Sequence, residues 1–217
     1  MKRTFASLCL LFSAATFSAH EEVESSYHLQ LFAGEDAWHV AEFVCKNIIT
    51  AFREYPYLYD GNTEGQYKYY SGFIACKDSA VFILYDNKTP IGYIRGAALS
   101  SSYLHEMLSI IPEVETYYSI ADLVILPEYR GRHLSYRLFD TIEKYALSLG
   151  YTRSFTVTET YDEHPLKPVH YKEFGFGYVK YVQSDVKVSC HFLTLQPDGS
   201  SQDQEHILNV WLKDLKA

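Results

Sequence analysis

The 217-residue chain has few cysteines, and no two of them are close together. Its four cysteines are Cys9, Cys45, Cys76 and Cys190, and no C-x-x-C motif occurs. A structural zinc site normally takes its ligands from closely spaced pairs, so we predict no structural metal. Cys45 lies in an apolar helical stretch and Cys190 in an alternating strand, and we interpret both as small buried hydrophobic residues.

The chain also lacks any run of lysine and arginine. It has 19 Lys and Arg residues against 27 Asp and Glu, and a formal net charge of −8. Proteins that bind nucleic acid usually have a basic face or stripe, so nucleic acid is excluded as a partner. An acidic surface attracts cations, which favours a cationic partner such as an amine.

No hydrophobic run is long enough for a stable membrane span. The longest, from Phe5 to Phe17, follows Lys2 and Arg3 and leads into small residues. It is too short to cross a bilayer comfortably and has the layout of a signal peptide. We assign residues 1–19 to a signal peptide or an uncleaved apolar N-terminal extension, and residues 27–217 to one domain.

Hydrophobic periodicity predicts an alternation of strands and helices in that domain. Predicted strands cover residues 28–32, 80–86, 91–99, 117–126, 153–159, 177–182 and 186–195. Predicted helices cover residues 36–53, 64–76, 134–149 and 206–215, with a short one near 169–174. This order predicts a mixed α/β fold in which helices flank a central sheet of about seven strands.

The segment 122–140 combines a strand, a tight turn and a helix. The turn holds Arg130, Gly131 and Arg132 just before the predicted helix. A helix N-terminus has unpaired N–H groups and a partial positive charge, and guanidinium groups add charged contacts to phosphate. The arrangement indicates a site for a pyrophosphate-bearing ligand. The alternative is two solvated arginines at a surface turn.

The sequence PEYRGRHLS in this segment resembles the acetyl-CoA signature of the GNAT acetyltransferases, Arg/Gln-x-x-Gly-x-Gly/Ala. AFREYPYLYDG, DEHPLKP and VWLKDL are similar to segments of an uncharacterised bacterial GNAT subgroup with the motifs FREYPYLYDG, LPEYRGRGIG, HPLRP and FWLK. The likeness covers roughly residues 28–215. It implies the GNAT fold, with a mostly antiparallel sheet, and transfer of an acetyl group from acetyl-CoA to an amine.

The resemblance also implies which residues hold acetyl-CoA. Arg130 is the leading residue of the signature, and the strand before it would pair its backbone with the pantetheine amides through Val124 and Leu126. His133 and Ser135 replace the signature's two small residues. A Cβ at 133 could crowd the ligand, although histidine tolerates left-handed geometry better than most residues and its ring could donate to phosphate. The loop amides expected on the pyrophosphate belong to Gly131, Arg132, His133, Leu134 and Ser135.

Three residues are candidates for the chemistry. Asp122 stands where the subgroup places a glutamate, and Glu159 ends the next strand. Either could act as the base, and either could instead form a salt bridge. YKEFGF resembles the family's Y-x-x-x-G-F segment, which makes Tyr171 the candidate acid, with a core tyrosine as the alternative.

The acceptor side is expected near the loop EYPYLYDGN and the proline loop. Tyr55, Tyr57 and Tyr59 are candidates to line it, or simply to pack the loop. His164 matches the subgroup's HPLRP histidine and could line the pocket or stabilise a turn. His164 and His170 have no third ligand nearby, so we predict no metal.

Three functions remain open at this stage. The first is acetyl transfer to an amine, the second is a GNAT-fold sensor that binds CoA or a metabolite without turnover, and the third is an exported interaction protein that uses its 20 tyrosines. Export indicates a periplasmic or secreted location, whereas use of acetyl-CoA indicates the cytoplasm. The acceptor is not identified, and a homodimer stays open.

Overall fold

The computed structural model describes residues 26–101, 111–159, 166–168 and 176–215. Three α-helices and seven strands follow one another along these residues. Their bounds are β1 Tyr27–Ala33, α1 Ala41–Phe52, α2 Thr63–Ile74, β2 Ala80–Asp86, β3 Thr89–Ala98, β4 Tyr117–Ile125, α3 Leu134–Ser148, β5 Arg153–Glu159, β6 Val182–Leu195 and β7 Ser201–Asp214.

The seven strands form one sheet in the order β1-β2-β3-β4-β5-β7-β6. Neighbouring strands are antiparallel, except that β4 and β5 run parallel. The predicted mixed fold, with a mostly antiparallel sheet of seven strands between helices, is therefore confirmed. No helix among the described residues is long and apolar enough to cross a membrane.

Helices cover both faces of the sheet. Alternate residues of β2 face opposite sides: Val81 and Ile83 pack with Val44 of α1, whereas Phe82 packs with Leu138 of α3. Each such side chain contributes about 1.5–3 kcal/mol when it is fully buried. A strand buried on both faces reads as a continuous apolar run, which explains the sequence AVFILYD.

The long helix before β5 forms as its periodicity predicts. Leu134, Leu138 and Ile142 make one buried stripe along α3, and Gly150 follows the helix with a left-handed φ of 93°. Glycine adopts that conformation without steric cost and ends helices for this reason. Because α3 begins at Leu134, the arginine-containing turn stands at its N-terminus.

The last predicted helix is wrong. Residues 206–215 fall almost entirely in β7, which pairs with β5 on one side and with β6 on the other. Residues 208–210 of β7 are buried in succession, so both faces of the strand are covered there and its apolar residues lose the simple alternation of a half-buried strand. The helical spacing in HILNVWLKDL arose from that pattern.

Two smaller expectations change as well. The predicted strand 177–182 is a 3-10 helix at Phe176–Val179, and β6 begins at Val182. The start of the predicted helix 36–53 is a 3-10 helix, Gly34–Val40. The predicted short helix near 169–174 and the N-terminal segment 1–19 lie outside the described residues.

The parallel pair β4–β5 is joined only at one end. The strands pair at Tyr117, Tyr118 and Ser119 of β4, opposite residues 153–155 of β5. Beyond Ser119, β4 carries a bulge opposite Arg95 and Gly96 of β3, and bulges bend a strand and increase its twist. The two strands therefore diverge and leave a cleft inside the sheet.

Candidate active site

The cleft between β4 and β5 contains a cavity of about 240 Å³. Residues of both strands form its walls, and side chains from α3, from the end of α1 and from β7 close it. Most of the lining is aromatic or aliphatic. The lining residues are Phe52, Pro56, Tyr57, Ile120, Ala121, Asp122, Leu123, Phe139, Thr156, Val157, Thr158, Glu159, Phe176 and Trp211.

Glu159 is the last residue of β5 and lines this cavity. The residue is buried, and its Oε2 lies 2.9 Å from Nδ1 of His206 on β7. Nε2 of the same ring lies 2.7 Å from Oγ1 of Thr194 on β6. The carboxylate of Glu159, the imidazole of His206 and the hydroxyl of Thr194 therefore form a buried chain of hydrogen bonds that begins at the cavity wall.

His206 and Thr194 are functional candidates that the sequence analysis missed. The predicted helix 206–215 has His206 at its start, where the side chain has no relation to Glu159. In β7, His206 pairs in register with Cys190 of β6. Leu208, two residues further along β7, pairs in register with Glu159 of β5. A prediction of residues 201–214 as a strand would have placed His206 beside Glu159 and revealed this chain of hydrogen bonds.

Asp122 forms a buried ion pair, which is one of the two interpretations left open by the sequence. Its Oδ2 lies 2.6 Å from Nε and 2.5 Å from Nη2 of Arg95. Both side chains are almost fully buried, and the guanidinium lies against the rings of Tyr69 and Phe73. Because this carboxylate is bound directly to a buried guanidinium, its geometry suits a structural anchor better than a base.

The loop before α3 has the backbone shape of an anion-binding turn. Gly131 and His133 both have left-handed backbone angles, with φ of 76° and 60°, and residues 131–133 are exposed. The first N–H groups of a helix have no partner within the helix. The amides that lead into Leu134 are therefore exposed at the positive end of the α3 dipole.

The imidazole of His133 lies beside α3. It stacks on Tyr136, with 5.5 Å between ring centroids and 19° between planes. His133 is exposed and adopts the left-handed conformation that histidine tolerates better than most residues. The backbone shape that the family's glycine provides is thus present at 133.

Both arginines of the turn contact protein groups. Arg130 donates from Nη1 and Nη2 to the carboxylate of Glu54, at 2.7 and 3.1 Å, and from Nε to the carbonyl of Ile125 at 3.1 Å. Arg132 donates to the hydroxyl of Tyr27 and to the carbonyl of Glu128, both at 3.0 Å. The expected contact of Arg130 with phosphate stays a prediction.

The backbone N–H and C=O groups of β4 that point to the cleft belong to residues next to those predicted to pair with pantetheine. The N–H of Leu126 donates to the carbonyl of Ile91 on the far side, at 2.9 Å, and Val124 pairs with Tyr93 in the same direction. Successive residues of a strand direct their backbone groups to opposite sides. Leu123 and Ile125, rather than Val124 and Leu126, therefore present theirs toward β5.

The three tyrosines predicted to line the acceptor site have different surroundings in the structure. Tyr57 lines the cavity and stacks on Phe52, with 4.4 Å between centroids. Tyr59 instead packs against the β6–β7 hairpin through a bridge to Thr194 and an edge contact with Phe192. The ring of Tyr55 has the ammonium of Lys167 5.9 Å from its centroid. His164 and Tyr171 lie outside the described residues.

Trp211 is a further cavity residue that the sequence analysis did not single out. Its Nε1 donates to Oγ1 of Thr158 at 2.8 Å, and its ring stacks on Phe176 with 5.0 Å between centroids. The hydrogen bond and the stack fix the indole at the cavity wall. Among the described residues, no group of three or more His, Cys, Asp or Glu side chains could hold a metal ion.

Comparison with known proteins agrees with this architecture. The sequence profile of the Acetyltransferase (GNAT) family matches residues 46–176, more than half of the chain. The chain therefore belongs to the GNAT acetyltransferase family. No curated protein matches it.

Solved acetyltransferase structures share the fold at low sequence identity. An N-acetyltransferase from Staphylococcus aureus Mu50 has a TM-score of 0.53 and 11% identity, over 87% of this chain and 99% of that one. A GNAT-family acetyltransferase from Streptococcus pneumoniae has a TM-score of 0.52 and 12% identity, over 87% and 99%. The yncA protein from Salmonella typhimurium, solved with its cofactor acetyl-CoA, has a TM-score of 0.53 and 10% identity, over 88% and 95%.

Proposed function

We propose that this protein is an N-acetyltransferase that transfers the acetyl group of acetyl-CoA to an amine. One observation carries the proposal: the cleft between β4 and β5 has a buried carboxylate, Glu159, on its wall, and an exposed turn connects the end of β4 to the N-terminus of α3. Acyl transfer to an amine needs both a group that takes the amine proton and a site that holds the acyl donor.

The described residues fit the acyl donor at two places. The amides of the turn from Gly131 to Ser135 would hold the pyrophosphate, since they combine exposed donors with the positive end of a helix. The cleft-facing backbone groups of Leu123 and the N–H of Ile125, whose carbonyl already accepts from Arg130, would pair with the pantetheine amides as an added strand does. The thioester supplies an activated acyl carbon, and the protein residues supply orientation and a proton acceptor.

The reaction follows from ordinary acyl transfer. The acceptor arrives as an ammonium and gives one proton to the Glu159 carboxylate, which leaves a neutral amine. Its lone pair attacks the thioester carbonyl, the C–N bond forms and the C–S bond breaks. The nitrogen loses its second proton as the CoA sulfur gains one, so the products are an amide and the free thiol. Tyr171 stays the predicted acid for that sulfur.

The acceptor fits the cavity as a cation with an apolar body. Phe52, Tyr57 and Trp211 provide aromatic surfaces, and Glu159 provides the negative charge. Cations bind favourably over aromatic rings, and a carboxylate attracts an ammonium. We therefore expect aromatic or long-chain primary amines to be better acceptors than amino acids, whose carboxylate would face Glu159.

The proposal is tested on the full chain with a panel of primary amines. Release of CoA thiol in the presence of acetyl-CoA and either 2-phenylethylamine or cadaverine should exceed release without amine, and lysine, which has a carboxylate, should give less release than either. Binding is tested separately, because acetyl-CoA should raise the melting temperature in a saturable manner. A melting temperature that does not respond, together with no amine-dependent thiol release, would exclude the proposed activity.

A further inference from the structure

We propose that His206 and Thr194 are positioning residues that hold Glu159 in its orientation as proton acceptor. The proposal deepens the function proposed above and rests on it. Glu159 touches the cavity, whereas the other two act through it. Three residues from three different strands, β5, β7 and β6, form the chain.

The contacts in this chain are short and fully enclosed. Glu159 Oε2 lies 2.9 Å from His206 Nδ1, and His206 Nε2 lies 2.7 Å from Thr194 Oγ1. The relative exposures of Glu159, His206 and Thr194 are 4%, 1% and 0%. Buried polar groups strengthen one another when all are bonded, because the local dielectric is low.

The direction of the hydrogen bonds follows from the carboxylate. A charged Glu159 can only accept, so Nδ1 of His206 carries the proton of that bond. In a neutral ring, Nε2 accepts from the Thr194 hydroxyl. In a protonated ring, Nε2 donates to Thr194, whose own proton turns to the carbonyl of Phe192, 3.2 Å away. Thr194 therefore keeps His206 directed at Glu159 in both protonation states.

Packing fixes the ring in this position. Phe192 stacks on His206 with 3.6 Å between centroids and 12° between planes. Tyr59 meets Phe192 edge-on and bridges to Thr194, so the loop after α1 also packs against these residues. With its rotamer enclosed, His206 can hold Oε2 in one place, which is what a catalytic group requires of its neighbours.

The location of the chain argues against a purely structural role. A buried ionisable group costs free energy, and apolar side chains of similar volume usually stabilise as well or better. Here the polar chain ends at the cavity that the proposed reaction uses. The buried pair Arg95–Asp122 also borders the cavity, but its carboxylate is held directly by a fixed cation.

Two other titratable groups face the chain among the described residues. Cys190 lies across from His206 on β6, and burial, with the charge of Glu159 as the second cause, raises the pKa of its thiol to about 11. Burial also raises the pKa of Tyr59. Both side chains are neutral near pH 7, so neither adds a charge beside the contact between Glu159 and His206.

The kinetic test compares two substitutions at one position. Thr194→Val keeps the shape but removes the hydroxyl, and we expect kcat to fall about tenfold, the size of one lost hydrogen bond. The KM for acetyl-CoA should not change, and Thr194→Ser should restore most of kcat. A Thr194→Val enzyme with the kcat of the native protein, or a Thr194→Ser enzyme as slow as Thr194→Val, would overturn the proposal.

A second measurement does not depend on turnover. The side-chain carboxyl of Glu159 is followed by 13C NMR against pH and assigned by its loss in Glu159→Gln. In His206→Phe, which keeps an aromatic ring against Phe192, the titration midpoint should rise by about one pH unit relative to the native protein, because the charged form loses a donor. An unchanged midpoint would overturn the proposal even in an active enzyme. A raised midpoint without acetylation of any amine would leave the positioning intact and reject the proposed function.

Discussion

Oε2 of Glu159 lies 2.9 Å from Nδ1 of His206, 47 residues later in the chain. This contact joins the end of β5 to the middle of β7, the strand beside it. At that end, β5 no longer pairs with β4. It gives the carboxylate in the cleft a fixed orientation. Of the two carboxylates considered from sequence, Asp122 is bound by a guanidinium and Glu159 by an imidazole, and Glu159 is the one that we propose as the base.

Glu159→Gln tests the base directly. The substitution keeps the shape and a hydrogen-bond acceptor for His206 but cannot take a proton at neutral pH. We expect kcat to fall by a factor of about 100 or more, the usual contribution of a general base. Acetyl-CoA should still raise the melting temperature, because Glu159 is not among the residues that we propose to hold acetyl-CoA. A variant with native kcat would show that another group takes the amine proton.

Asp122→Asn should act on stability rather than on catalysis. It leaves the buried guanidinium of Arg95 without its counter-charge, and breaking such a pair costs about 3–5 kcal/mol. Chemical denaturation should show this loss in the free energy of unfolding. Activity per folded molecule should stay within a few-fold of native. A stable variant that has lost activity would restore Asp122 as the base.

His133→Gly tests the most unusual residue of the turn before α3, which we propose holds the pyrophosphate. The backbone at 133 is left-handed, which glycine adopts readily, and the native ring lies against Tyr136. We expect the affinity for acetyl-CoA, measured by calorimetry, to be retained or improved. A tenfold or greater loss of affinity would show instead that the imidazole is itself a ligand of the phosphate.

Arg130→Ala should weaken acetyl-CoA binding several-fold through loss of a positive charge beside the pyrophosphate. Glu54→Ala is the matched control, because it removes the partner of Arg130 without removing the guanidinium. Exposed ion pairs contribute about 0–1 kcal/mol, so this control should leave stability nearly unchanged and binding intact. Equal losses in both variants would place the effect in the loop after α1 rather than at the phosphate.

The thiols of Cys45, which is buried, and Cys190, which is half-buried, provide a pH-dependent test of packing. Burial is the main cause that raises the pKa of both Cys45 and Cys190 to about 11. Only the thiolate reacts with alkylating agents, so both residues should label far more slowly at pH 7.5 in the folded protein than after denaturation. Peptide mass spectrometry after iodoacetamide treatment measures this. Rapid labelling of Cys190 would show that the β6–β7 region opens readily.

Much of the fold could be predicted because its signals are local. The stripe of α3, the apolar run of β2 and the strand–turn–helix around Gly131 each follow from spacing within a short segment. The predicted burial of Cys45 is confirmed, and Cys190 is half-buried. Local chemistry also identified Glu159 and Tyr57, two residues that the structure places at the cavity.

The remainder depends on contacts between distant segments. HILNVWLKDL has a helical spacing, and only its place between β5 and β6 makes it a strand. The error concealed His206 and Trp211, whose relation to the cavity exists only in that strand. The pairing of Arg130 with Glu54, 76 residues apart, is equally invisible in a sequence, since no periodicity connects the two positions.

The most direct test of the central claim is the appearance of acetylated amine, identified by mass spectrometry, when native protein and Glu159→Gln are incubated side by side with acetyl-CoA and 2-phenylethylamine. We predict product that accumulates in proportion to native protein and forms about 100 times more slowly with the variant. If native protein and Glu159→Gln form the product at the same rate, the assignment of amine acetylation to this cleft is contradicted, whether or not that rate exceeds the rate without protein.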